Sequence, residues 1–314
     1  MSSSRQVPPT KRKTTATCLK RRKINEESLK SSGTAFIGQV IKFWKSSLWV
    51  DRIEDYVEKL LHSIFFLGHI HEDRLLPNAF FESQAVKDEL QTRFKMAFHN
   101  YMSPPCQTPF SILLTLAVKI CGHEDEDKIQ ENLLSFLEAL QLPPKIKGES
   151  NYTNYYTLEA TVIALCYNET PGALRPVKYY GASLSCRGER AKKIMINQSC
   201  LNVWHDYVSY AVLSFRHDDQ GNGISFPGTN CYEDRRPCKN CGDLFSLPNP
   251  ETDKNDFPYG NCAETECLSN LIFNDEDVQS KMIKRIDYIG ENLKGLREKA
   301  KKALEQSMAT VPES

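Results

Sequence analysis

The sequence predicts an α+β protein: an N-terminal helical module, a zinc-containing α/β domain after it, and a long C-terminal helix. Three observations carry that expectation. Apolar residues recur at helical spacing through residues 34–148. Strand-like stretches rich in aromatic and β-branched residues begin after residue 149. Four of the eleven cysteines crowd into residues 238–267. At 314 residues, 40% hydrophobic and 25% charged, the chain has the size and composition of one large or two small globular domains.

Residues 1–33 are rich in Ser, Thr and Lys and nearly free of large apolar side chains, which predicts a disordered basic tail. Residues 1–30 carry nine Lys/Arg against two Glu, so a tail of +7 balances a body of −7 at zero formal net charge. A mildly acidic body argues against a broad nucleic-acid groove. Lys20, Arg21, Arg22 and Lys23 match a nuclear import signal, and a solvated basic tail without an address fits the same residues. The tail has no apolar signal-peptide core, and no run approaches 18 apolar residues. These features predict an intracellular chain, nuclear or cytoplasmic, with no membrane partner. Cysteines in that reducing setting are free thiols or metal ligands rather than disulfides.

Residues 34–148 read as five helices. Phe36, Val40, Ile41, Trp44 and Leu48 mark the first, and Ile53, Tyr56, Val57, Leu60, Leu61, Ile64 and Phe65 the second. A third spans Ser83–Asn100, a fourth the nearly all-apolar Phe110–Cys121, and a fifth Asp125–Leu140 before Pro143-Pro144. His69 and His71, two apart, do not share a helix face and read as a loop or helix end rather than a metal pair. In residues 149–277, Leu158–Tyr167 fits a buried strand or helix, and Pro176–Cys186 fits a strand. Ala191–Ser199 fits a strand or a short helix, and Trp204–Phe215 fits either. Residues 278–309 form a long helix. Met282, Ile286, Ile289, Leu293, Leu296, Ala300 and Ala303 follow an a/d pattern, open to packing within the chain, to coiled-coil self-association or to a protein partner.

The chemistry concentrates in Cys238-x2-Cys241-x20-Cys262-x4-Cys267. A Cys-x-x-Cys supplies two corners of a zinc tetrahedron, and Gly242 lets the chain turn away from them. Asn261 is a good N-cap, and the acidic residues after Cys262 suit a first helical turn. If that helix forms, positions 262 and 267 differ by about 140° around it. Cys267 is then a packed core thiol, and zinc holds Cys238, Cys241 and Cys262 with one position left for water. With Cys267 as fourth ligand the site is closed and structural. His205 is a further candidate ligand or substrate contact, although a lone His beside a Trp more often packs. Cys186, Cys200 and Cys231 fit no metal spacing and read as small hydrophobes.

Pro237-Cys238-x-x-Cys241 together with Cys262-Ala263-Glu264 resembles the zinc signature of the cytidine deaminase-like superfamily. In that family a His/Cys-x-Glu and a Pro-Cys-x-x-Cys share one zinc and the Glu moves protons. Here the two halves stand in reverse order. The resemblance implies a deaminase-like α/β domain with Cys238, Cys241 and Cys262 as zinc ligands and Glu264 as general acid/base. It also implies a zinc-dependent deaminase acting on a cytosine- or adenine-type base, as nucleoside or in single-stranded nucleic acid. The alternative is a non-catalytic scaffold for protein–protein interaction, in which zinc only staples the loop before the last helices.

Overall fold

A small antiparallel sheet with helices against both faces organises the chain. The computed structural model describes residues 13–47, 49–140, 157–168, 176–217, 229–232, 236–247, 249–252, 257–282 and 286–311. The first elements are α1 (Lys13–Ser46), α2 (Ile53–His69), a 3-10 turn at Pro77–Phe80, α3 (Gln84–Arg93), α4 (Lys95–His99), α5 (Pro109–Cys121) and α6 (Glu126–Ala139). There follow β1 (Ile163–Asn168), β2 (Lys178–Ala182), α7 (Glu189–Asn202), α8 (Asp206–His217) and β3 (Thr229–Tyr232). The chain ends with α9 (Lys239–Phe245), α10 (Ala263–Asn274), α11 (Glu276–Met282) and α12 (Ile286–Ala309). The mostly helical chain with its small sheet agrees with the α+β expectation.

The strands run in the order β2-β1-β3, both pairings antiparallel. Their period of two divides the interior. Ala164, Cys166 and Tyr179 face a core shared with α7, α8, α9, α10 and α12. Leu165, Tyr180 and Ala182 face a core built on α1, α2 and α5. The expected boundary between residues 148 and 149 therefore does not separate two cores. Leu158, Leu165 and Ile194 belong to the same apolar cluster as Phe36, Leu60 and Phe110.

Several elements differ from the sequence expectation. Residues 13–33, expected to be disordered tail, belong to the 34-residue α1. Ile24 and Leu29 are buried, and Gly33 lies so close to the Phe80 ring that a Cβ would fall 2.5 Å from it. Small residues at the contact (Ser28, Ser32, Gly33) let α1 approach closely while keeping the composition polar. Within the nuclear-signal candidates, Arg22 donates to Asp73 (2.6 Å) and to the Glu72 carbonyl (2.9 Å), which ties it to the turn after α2. The single helix expected over Ser83–Asn100 is broken at Phe94, which turns inward onto Trp44 (ring centroids 5.3 Å apart). Glu58 then accepts from the freed Met96 N–H at 3.0 Å. Of the three ambiguous stretches, Leu158–Tyr167 contains most of strand β1, Ala191–Ser199 is helical within α7, and Trp204–Phe215 is helical from Asp206 on, as α8. The a/d face of the C-terminal helix, which the sequence leaves open to packing within the chain, to self-association or to a partner, packs within the chain. Ile289, Leu293, Leu296 and Ala300 are buried in the core that α12 shares with α8. Pro143-Pro144 lies outside the described residues.

One glycine fixes the site helix on the sheet. At Gly181, in the middle of β2, a Cβ would stand 2.4 Å from the Ala263 carbonyl oxygen and 2.3 Å from the Cys267 nitrogen. The first turns of α10 thus rest directly on strand backbone, which only glycine permits.

Candidate metal centre

Two helix starts meet at the centre, with Cys238 as the N-cap of α9 and Cys262 as the N-cap of α10. The chain between them folds back on itself. The Glu251 N–H donates to the Pro237 carbonyl at 2.8 Å, and Gly242 takes the Pro250 ring against its backbone. Asn240 Nδ2 donates to the Phe257 carbonyl at 2.8 Å. Gly260, at φ +90°, then turns the chain into Asn261 and Cys262 where a Cβ would meet Val212 at 2.9 Å.

This folding brings three sulfurs together. Cys238 Sγ lies 3.5 Å from Cys241 Sγ and 3.4 Å from Cys262 Sγ, and all three lie within 4.8 Å of one another. A zinc tetrahedron with Zn–S near 2.3 Å has sulfur–sulfur edges of about 3.8 Å, so the three thiols need to part only slightly to share one ion. The cluster can hold a metal ion, and among the described residues no other group of three or more His, Cys, Asp or Glu is placed to do so.

The thiols titrate as a unit. S–H contacts from Cys241 and Cys262 hold the Cys238 thiol well below the usual thiol range. Cys241 is held well above it, by its contacts with Cys238 and Cys262 and then by burial and nearby charge. Cys262 is pushed up chiefly by its contact with Cys238, with burial and the Glu264 charge adding to it. A divalent cation supplies the positive charge that favours ionisation of all three thiols.

Glu264 is buried (6% exposed), one residue inside the start of α10, and near enough to Cys241 and Cys262 that its charge opposes the ionisation of both. Cys267 stands elsewhere. Helix α10 does form from Ala263, and it turns the Cys267 thiol to the sheet, 2.6 Å from Cys166 Sγ and within hydrogen-bonding distance (3.1 Å) of the Tyr179 carbonyl. The alternative of Cys267 as fourth ligand is not what the geometry offers. His205 is not in the cluster either. Its backbone N–H donates to Ser269 Oγ, and its ring lies 5.5 Å from Tyr207 and 4.9 Å from Phe273, toward the other end of α10. Cys186 and Cys200 are buried thiols pushed up by desolvation, as packing residues would be.

One residue of the site's support went unpredicted. Glu266 is buried on α10, on the side away from Glu264. Its carboxylate accepts from Gln107 Nε2 (2.9 Å), Ser111 Oγ (2.7 Å) and the Ala182 N–H (2.9 Å). It clamps α10 to β2 and to the start of α5, across the expected domain boundary. The acidic pair in Cys-Ala-Glu-Thr-Glu was the available signal, since 200° of helical rotation separates the two side chains.

No known protein family, curated protein or solved structure matches this chain.

Proposed function

We propose that the chain is a zinc-dependent deaminase of a cytosine- or adenine-type base. The observation that carries this reading is the three-thiol cluster with the buried Glu264 carboxylate two residues beyond Cys262, while the fourth thiol packs elsewhere. Three protein ligands suit a metal site with one open position, whereas a closed structural site takes four. Zinc bound there supplies Lewis-acid activation of water near neutral pH.

The remaining steps belong to the chain's own residues. Cys238, Cys241 and Cys262 hold the ion at the mouths of two helices. Glu264 takes a proton from the attacking water and delivers it to the ring nitrogen, then passes the second proton to the amine that leaves as ammonia. Net, a C–NH2 bond and water become C=O and ammonia. Burial keeps the Glu264 carboxylate from being screened by bulk water.

The test is ammonia release by the zinc-loaded protein from cytidine, adenosine and single-stranded nucleic acid. Glu264→Gln lowers the rate at least about 100-fold, the usual scale of a lost acid/base group, and retains zinc. If no substrate in the panel releases ammonia while zinc is bound, the zinc-stapled scaffold is the correct reading.

A further inference from the structure

Two cysteines that take no part in the three-thiol cluster meet inside the second core. Cys166 lies on β1 and Cys267 on α10, both fully buried in the apolar cluster that also holds Tyr179, Val208 and Leu268. Their sulfurs are 2.6 Å apart. Within the three-thiol cluster the corresponding contacts measure 3.5 and 3.4 Å. The buried pair is therefore much closer than those thiols, and only about 0.6 Å beyond the length of a disulfide bond.

The fold prepares this approach from both sides. On the helix side, Gly181 lets the backbone of Cys267 come against β2, where a Cβ would stand 2.3 Å from the Cys267 nitrogen. The preceding Glu266 is held there by Ser111 and by the Ala182 N–H. On the sheet side, Tyr179 is the register partner of Cys166 and places its carbonyl 3.1 Å from the Cys267 sulfur. Regular backbone elements, not loops, thus deliver the two sulfurs to one spot. Thiols that served only to fill space would rest at the distance of ordinary contact.

We propose that Cys166 and Cys267 are a dithiol that a low-molecular-weight disulfide of the glutathione type converts to a bond stapling α10 to β1. One protein thiolate attacks the small disulfide, forms a mixed disulfide and releases one small thiol. The second protein sulfur then displaces the other small thiol. The protein pair loses two electrons and two protons, and the small disulfide gains them. Both sulfurs are buried, so exchange proceeds when α10 lifts locally from the sheet. The bond ties β1 to the helix that has Cys262 as its N-cap and Glu264 in its first turn. The two residues are 101 positions apart, so the bond closes a long loop and restricts the unfolded chain.

The experiment incubates reduced full-length protein with oxidised glutathione in urea below the unfolding transition. The remaining thiols are then alkylated in denaturant, and linked peptides are mapped by mass spectrometry. The expected product is a Cys166–Cys267 link that forms faster as urea approaches the transition. The oxidised protein unfolds at a urea midpoint higher by roughly 1 M than the reduced protein. Cys166→Ala removes both the link and the shift; should that variant fail to fold, the peptide map of the wild type decides alone. Cys231, the register partner of Cys166 on β3, is the competing thiol. A link from Cys166 to Cys231 instead, or separate alkylation of Cys166 and Cys267 after incubation, overturns the inference. So does a linked protein whose midpoint is unchanged. None of these outcomes depends on bound metal or on base deamination.

Discussion

Glu264 and Glu266 sit two residues apart on one helix, and their surroundings give them different roles. Glu264 lies near enough to Cys241 and Cys262 for its charge to oppose their ionisation, whereas Glu266 is enclosed by donors from Gln107, from Ser111 on α5 and from Ala182 on β2. Burial raises the Glu266 pKa, and the hydrogen bonds from Ala182, Ser111 and Gln107 only partly offset it. The sign of its pH dependence follows. Below the ordinary carboxyl range Glu266 is protonated in both folded and unfolded chains. As pH rises through that range the unfolded chain releases the proton first, so stability is lost up to the raised folded value and is level above it. Urea unfolding of wild type and Glu266→Gln from pH 4 to 8 isolates this residue. The stability advantage of wild type over the variant is greatest at the acidic end and declines with pH. An advantage that instead grows with pH means that the three donors outweigh burial.

At the scale of elements, α10 carries the site, and its seat on β2 depends on Gly181. Gly181→Ala puts a methyl group into the Cys267 nitrogen and the Ala263 carbonyl. The expected cost is about 1–3 kcal/mol of overpacking, read by urea unfolding, with weaker zinc retention against a chelator because the helix start carries Cys262. An unchanged midpoint and unchanged retention contradict the seating of α10 described above. The sequence made α10 legible through the acidic first turn and the angle between Cys262 and Cys267, which point to a helix with Cys267 turned inward. The N-cap, however, is Cys262 and not the expected Asn261, whose buried Oδ1 accepts no hydrogen bond among the described residues. Helices α2, α5 and α6 were legible from apolar spacing. The first half of α1 was not, because Ser28, Ser32 and Gly33 make contact through smallness rather than hydrophobicity. The break at Phe94 was hidden as well, since the pull of Trp44 on that ring is a tertiary contact. The clamp from Glu266 to Gln107 and Ser111 spans more than 150 residues, beyond the reach of any local pattern.

At the scale of the whole molecule, the sheet is the wall between two cores, and the three-thiol cluster lies at the edge of one of them. The helices before residue 148 are part of the support of the site, through α5 against β2 and through Glu266. The C-terminal helix completes the second core from outside, and its apolar face is covered by the chain itself. The site therefore draws on residues as distant in sequence as Gln107, although its three thiols come from the single stretch Cys238 to Cys262. Everything chemical depends on one ion held by three sulfurs and not four. The most direct check is the zinc content per chain of Cys267→Ser beside that of Cys262→Ser, both purified as full-length protein. The predicted result is close to one zinc in Cys267→Ser, as in wild type, with most of it lost in Cys262→Ser. Equal loss in both variants, or no zinc in the wild type, contradicts the three-thiol centre.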